Sequence, residues 1–221
     1  MTPSPTALQD SRYTEIKDGR AQAQEVWLLH GYASHQDDLH GLAPYLTKNF
    51  TVRSLRATYP LDMGGYAWYS LSFDANGVRQ VDSPEAFSSV ERVKLALEWH
   101  AAEFPLSPRP ILVGFSQGGI LSNAIGYNHP HLVRGVAAIA SYFPWEWEGH
   151  AGRAESLKLP FWAAVGTEDG VVPASLSLPT YERAQKKEGL NLSMKTYPMP
   201  HTISPACFAD LHTWLLEVAA G

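Results

Sequence analysis

Apolar positions along this chain fall into short solid runs separated by longer stretches in which they recur every third or fourth residue. The runs Val26-Trp27-Leu28-Leu29, 52–57, Ile111-Leu112-Val113, 136–140, 161–165 and 192–197 predict strands. The first, third, fourth and fifth show no clean alternation, as expected of strands covered on both faces. Between them the spacing predicts helices. Ser34, with Asp37 three residues on, is a candidate N-cap for a helix presenting Leu39, Leu42, Ala43 and Leu46. Ser83-Pro84-Glu85 opens a second, with the stripe Phe87, Val90, Lys94 (by its stem), Leu97, Ala101 and Phe104, ended by Pro105. A third runs from about Gln117 to Asn128, and a fourth precedes Gly189, a C-terminal cap. The last starts at Ser204-Pro205 and carries Phe208, Leu211, Leu215 and Val218.

This alternation predicts an α/β fold: a mostly parallel central sheet with helices on both faces. Residues 1–12 are polar and read as a flexible N-terminal tail, and 13–221 as one domain. In such sheets ligands bind beyond the carboxyl ends of the strands, so functional residues should follow strands closely.

Charge and composition narrow the classes. The 221 residues carry a formal net charge of −5, without the basic surface that nucleic-acid binding demands. Cys207 is the single cysteine, which rules out an intrachain disulfide and suits a reducing, cytoplasmic location. The start Met-Thr-Pro-Ser-Pro-Thr lacks the basic and apolar regions of a signal peptide, and no window reaches the length of a spanning helix.

The strongest chemical signal is Gly114-Phe115-Ser116-Gln117-Gly118, placed after an apolar run and before a helix. The pentapeptide alone arises by chance in roughly one chain in fifteen of this length, so its strand-to-helix context carries the reading. In that context it is a nucleophile elbow. The turn is so sharp that side chains two before and two after the serine would collide, hence glycine at both positions. Ser116 needs a base, because its hydroxyl is un-ionised at neutral pH, and the base needs an orienting acid.

The expected chain order is serine, acid, histidine. Gly166-Thr167-Glu168-Asp169-Gly170 follows the run 161–165, and both Glu168 and Asp169 compete for the acid's role. His201 lies in Met199-Pro200-His201-Thr202, between the last strand and the last helix; His212 falls inside that helix. His30-Gly31-Tyr32 follows the first long strand, where one oxyanion-hole amide is expected. The backbone N–H groups of Tyr32 and Gln117 are the two candidate donors, and His30 itself reads as structural.

Other clusters read as ordinary structure. His35, Asp37, Asp38 and His40 match no metal-binding spacing and read as a solvated helix start, so no metal is expected. His129-Pro130-His131 reads as a helix end, Cys207 as a small packing residue, and Gly64-Gly65 as a loop without a phosphate-binding Lys-Ser/Thr.

Several stretches in order resemble a known family. They are Leu29-His30-Gly31-Tyr32, Asp38-Leu39, Arg56-Ala57, Gly65-Tyr66-Ala67-Trp68-Tyr69, Gly114 to Gly119, Ser141-Tyr142-Phe143-Pro144, Gly166 to Pro173, and His201 with Ile203-Ser204. Together they resemble the small carboxylesterase/phospholipase group of α/β-hydrolases, which includes acyl-protein thioesterases. The resemblance implies an α/β-hydrolase fold without a large lid and a reaction needing no cofactor. Its Gly-x-x-Asp-x-Val-Val-Pro pattern falls on Asp169, in preference to Glu168. It further implies that Tyr32, Trp68 and Phe143 face the acyl group. Ala33 stands where the family often has glycine, and Thr58 where proline is usual. The tract Phe143-Pro144-Trp145-Glu146-Trp147-Glu148 is bulky, which favours short-to-medium acyl chains.

The expectation is therefore a serine esterase on a small-molecule ester, with Ser116 as nucleophile, His201 as base and Asp169 as orienting acid. The alternatives are an acyl-thioesterase or lysophospholipase using the same acyl-enzyme, and a non-catalytic binding protein on a hydrolase fold.

Overall fold

The computed structural model of the chain describes residues 4–17, 23–76, 79–147 and 156–221. Seven strands form the central sheet: β1 (Arg12–Thr14), β2 (Glu25–Leu29), β3 (Thr51–Leu55), β8 (Ile111–Phe115), β9 (Gly135–Ile139), β10 (Phe161–Gly166) and β11 (Leu192–Tyr197). Their spatial order is β1-β3-β2-β8-β9-β10-β11. Every pairing is parallel except that of β1 with β3, which is antiparallel at the edge. Two short antiparallel ribbons intervene between β3 and β8: β4 (Tyr59–Pro60) with β5 (Tyr66–Ala67), and β6 (Leu71–Phe73) with β7 (Arg79–Val81). These four fragments are too short to leave a periodic signal, and the sequence reading missed them.

The two-residue period of the strands divides the core. In β2, Trp27 and Leu29 join one apolar cluster and Val26 and Leu28 the other, and all four are fully buried. Helices α1 (Thr6–Gln9), α4 (Ser83–Glu103), α5 (Gln117–Asn128) and α6 (Ala174–Glu182) cover the first face. Helices α2 (Gln36–His40), α3 (Ala43–Leu46) and α7 (Pro205–Ala220) cover the second. Cover on both sides explains why the central strands are solidly apolar. At the edge, β11 buries only its end residues Leu192 and Tyr197, while Ser193, Lys195 and Thr196 are exposed.

Several local expectations are corrected. The segment expected as a loose tail holds α1, in which Ala7 and Leu8 are buried against α4, and Asp10 pairs with Arg56 at 2.8 Å. The helix expected from Ser34 is two short helices. His35 caps the first, its Nδ1 accepting from the Asp37 amide, and the chain turns at Gly41. The buried stripe of α4 is Ala86, Ser89, Val90, Val93, Ala96, Leu97 and His100, while Phe87 and Phe104 are about half exposed. Small residues let α4 lie close to the sheet and to α5. His100 is buried because Glu25 and the edge of Trp27 receive it. Hydrophobicity alone marks the large aromatics and overlooks both effects.

Candidate active site

The candidate triad and the two candidate oxyanion donors lie at the carboxyl edge of the sheet. Ser116 follows β8 directly, Tyr32 follows β2, Asp169 follows β10 and His201 follows β11. Strand order thus sets their spacing, and the loops set their aim.

Ser116 has φ 53° and ψ −120°, a strained left-handed turn between β8 and α5. Its amide donates to Ile139 O at 2.9 Å, and its carbonyl accepts from the Gly119 amide at 2.9 Å. A Cβ on Gly118 would lie 2.0 Å from Leu29 O, and one on Gly114 would lie 2.2 Å from Gly118 O. Neither position has room for a side chain, which is the crowding that the elbow's sharpness imposes.

The imidazole of His201 joins the serine to the acid. Its Nδ1–H donates to Asp169 Oδ2 at 2.7 Å, and Ser116 Oγ–H donates to its Nε2 at 3.0 Å. An ionised carboxylate only accepts, so the bond at Nδ1 leaves Nε2 as the acceptor facing the serine. The other carboxylate oxygen, Oδ1, accepts from the amides of Val171 and Val172, each at 2.8 Å. The Asp169 side chain is fully enclosed and that of His201 one-fifth exposed. The loops are laced together as well: Thr167 N–H donates to Tyr197 O at 2.9 Å and Glu168 N–H to Met199 O at 3.3 Å. Glu168, the rival acid, points into solvent, and His212 packs in α7 between Phe50 and Phe208.

The amides of Tyr32 and Gln117 donate to no acceptor among the described residues. For Gln117 this follows from its place in the first turn of α5, where helical amides have no intrahelical partner. Ala33, next to Tyr32, has φ 59°, in the left-handed region that a glycine would occupy at lower cost.

His30 is structural, as expected. Its Nδ1–H donates to Gly31 O at 2.7 Å, and its Nε2 accepts the Ala57 amide at 3.0 Å. Burial pushes its pKa down to about 4, so the ring is neutral and its tautomer fixed.

The sequence reading missed the part played by the Gln117 side chain. Its Oε1 accepts from Trp68 N–H at 2.9 Å and its Nε2 donates to Tyr69 O at 2.7 Å. The Trp68 indole in turn donates to His30 O at 2.8 Å. One amide side chain and one indole thereby tie the elbow, the 65–70 segment and the loop after β2 into a single unit. A glutamine directly after Ser116 was the available signal, but the sequence pattern singled out only its backbone amide.

Of the three expected acyl-facing residues, Tyr32 is 37% exposed, whereas Trp68 and Phe143 are enclosed. Phe143 stacks on Trp145 with centroids 4.3 Å apart and meets Tyr127 and Phe161. Trp68 and Phe143 are core residues bonded or packed behind the rim.

A groove of about 310 Å³ opens beside His201, between α2 and the loop after β11. A larger cleft of about 870 Å³, which includes Arg109, Arg134 and Trp214, lies at the amino edge of the sheet and holds none of the candidate residues. Among the described residues, no three His, Cys, Asp or Glu side chains are placed to share a metal ion. His35, Asp37, Asp38 and His40 instead serve local bonds, His40 bridging Thr14 and Ser54 at 2.8 Å each. His129 precedes the 3₁₀ turn Pro130–Leu132 after α5 and His131 lies within it, and Cys207 is buried in α7. No helix among the described residues is long and apolar enough to cross a membrane.

A doubly covered, mostly parallel sheet, a strained serine at the turn from β8 into α5 and a histidine bonded to both serine and carboxylate define an α/β-hydrolase. The sequence profile described as phospholipase/carboxylesterase matches residues 12–218, and the chain belongs to that family of ester-bond hydrolases. Acyl-protein thioesterase 1 of Mycosarcoma maydis is 33% identical over 226 residues, covering 91% of this chain and 94% of the relative. Among solved structures, a carboxylesterase from Mesorhizobium loti superposes with a TM-score of 0.77 at 19% identity, covering 97% of this chain and 98% of its own. The Bacillus cereus carboxylesterase superposes with a TM-score of 0.76 at 17% identity, covering 94% and 93%. At those identities the structures show a shared fold.

Proposed function

We propose that this hydrolase is a carboxylesterase of short-to-medium acyl esters, acting through an acyl-serine at Ser116 with His201 as base and Asp169 as orienting acid. The observation that carries the reading is the continuous relay from Ser116 Oγ through both imidazole nitrogens to a buried carboxylate. As Ser116 Oγ attacks the ester carbonyl, Nε2 takes its proton, and Asp169 stabilises the imidazolium that results. The carbonyl oxygen becomes an oxyanion, for which the free amides of Tyr32 and Gln117 are the donors; one such donor typically contributes about 2.7–4 kcal/mol to the barrier. Nε2 then protonates the departing alcohol, and water repeats the sequence to release the acid. No step calls for a cofactor, and the single buried cysteine suits a cytoplasmic setting.

Ser116→Ala is expected to fold normally and lose at least about 10⁴-fold in kcat. Full esterase turnover in that variant would refute the assignment of Ser116, and no labelling of Ser116 by a fluorophosphonate would favour a binding protein on this fold. A second reading, hydrolysis of acyl-thioesters, rests on the similarity to acyl-protein thioesterase 1. A panel of p-nitrophenyl esters of rising chain length with an acyl-thioester included separates the two. A preference for long chains would count against the short-to-medium range.

A further inference from the structure

A serine hydrolase holds its substrate on two sides of the reacting carbonyl. The acyl half stays on the serine, while the other half leaves with the proton that the histidine returns. The departing oxygen or sulfur therefore lies on the imidazole's side, and whatever cavity adjoins the imidazole meets the leaving group. The groove beside His201 is lined by His201 and Phe115, together with Leu39, Leu42 and Ile203, and by Asp38 and Thr202. None of Tyr32, Gln117, Trp68 or Phe143, the oxyanion donors and expected acyl contacts, lines it.

We propose that this groove is the leaving-group subsite, and that it selects small apolar alcohols or thiols that are uncharged or cationic. The inference rests on the assignment of Ser116 and His201 above. In the step concerned, the bond from Ser116 Oγ to the acyl carbon has formed and the bond from that carbon to the leaving oxygen or sulfur breaks. The proton on Nε2 passes to the leaving atom, so charge and atoms balance without any further reactant. The walls are apolar: Leu39 is buried, and Leu42, Phe115 and Ile203 are partly buried against the same core cluster. The volume, about 310 Å³, is at the low end of ligand cavities, which suits a short alkyl group. The titratable side chains that line it are Asp38, whose carboxylate accepts from Ser34 Oγ, and His201 itself. Among the described residues no lysine or arginine lines it, so a phosphate-bearing alcohol would meet a carboxylate with no lysine or arginine to offset the repulsion.

Two ester series test this, one of butyrates with alcohols from methanol to hexanol, the other of methyl esters with acids of the same range. kcat/KM covers every step up to departure of the alcohol, whereas deacylation of the common butyryl-enzyme does not depend on which alcohol left. Each added alkoxy methylene is expected to raise kcat/KM about three- to fourfold until the groove is filled. Leu42→Ser should flatten this slope to under about twofold per methylene and keep the slope with acyl length. Ile203→Ser, in the loop, is expected to do the same and carries the test if Leu42→Ser fails to fold. For the charge preference, choline butyrate is compared with its uncharged carbon analogue, 3,3-dimethylbutyl butyrate. Asp38→Asn should lower that ratio about three- to fivefold.

An alkoxy slope unchanged in a folded Leu42→Ser or Ile203→Ser protein would overturn the proposal, as would a change confined to the acyl slope. Faster cleavage of a phosphoethyl butyrate than of choline butyrate would overturn its charge preference. An active Ser116→Ala protein would instead remove the catalytic assignment, a separate outcome.

Discussion

Replacing Asp169 by asparagine isolates the carboxylate's effect on the imidazole. Asp169 Oδ1 accepts two backbone amides and Oδ2 accepts the His201 Nδ1–H. In Asp169→Asn the carbonyl oxygen can keep both amides, so the loop after β10 retains its anchors. The new NH₂ then faces Nδ1. Two donors cannot share that bond, so the imidazole moves its proton to Nε2 and loses its capacity to accept from Ser116. The expected loss in kcat is about 10⁴-fold, or roughly 5.4 kcal/mol of barrier. The stability cost should stay near that of one charge-assisted bond, about 1.5–3 kcal/mol. Asp169→Ala differs: it also orphans the Val171 and Val172 amides, adding about 1–3 kcal/mol for each one that water cannot reach. Glu168→Gln, on the exposed neighbour, should change kcat by less than about twofold. Initial rates on p-nitrophenyl butyrate, paired with urea unfolding of each variant, supply both axes. An Asp169→Asn enzyme keeping more than about a tenth of kcat, or a Glu168→Gln enzyme losing most of it, would refute the tautomer argument.

Three further outcomes follow from distances at the rim. Gly118→Ala places a Cβ 2.0 Å from a backbone carbonyl that cannot swing away. It should cost more than about 3 kcal/mol and abolish turnover; a thermal melt like the parent's would show that the elbow is not rigid. Gln117→Leu leaves Trp68 N–H and Tyr69 C=O without their partner, at about 1–3 kcal/mol each, and should lower kcat more than it changes KM if the tie positions the loop after β2. The pKa of His30 is about 4 in the fold against about 6.5 in an unfolded chain, so between those values the unfolded state binds more protons. Its contribution is complete above about pH 6.5 and is lost as the pH falls toward 4, up to about 3 kcal/mol. Urea midpoints from pH 7.5 to 4 should fall less in a folded His30→Gln protein than in the parent; an identical fall in both would sink the attribution to His30.

What could be read in the chain by itself is what local chemistry dictates. Short solid apolar runs that alternate with helix-spaced stretches fit strands covered on both faces, so the mostly parallel sheet and its two helical layers followed from the pattern. Glycines two residues either side of Ser116 are demanded by a turn that leaves no room for a Cβ, so the elbow was legible too. Asp169 was separable from Glu168 only through the family resemblance, since both stand in one acidic turn; the fold buries the first and exposes the second. Tertiary structure alone decided what depends on residues distant in sequence. His100 is buried because Glu25 on a neighbouring strand receives it, and α4 is rotated to bring its small residues against the sheet. Ala7 and Leu8 dock because α4 offers a surface that no local pattern announces. The Gln117–Trp68–His30 tie and the groove at Leu39, Leu42 and Ile203 likewise join segments far apart in the chain. Hydrogen bonds and packing of that kind are properties of a three-dimensional neighbourhood, and sequence spacing holds no record of them.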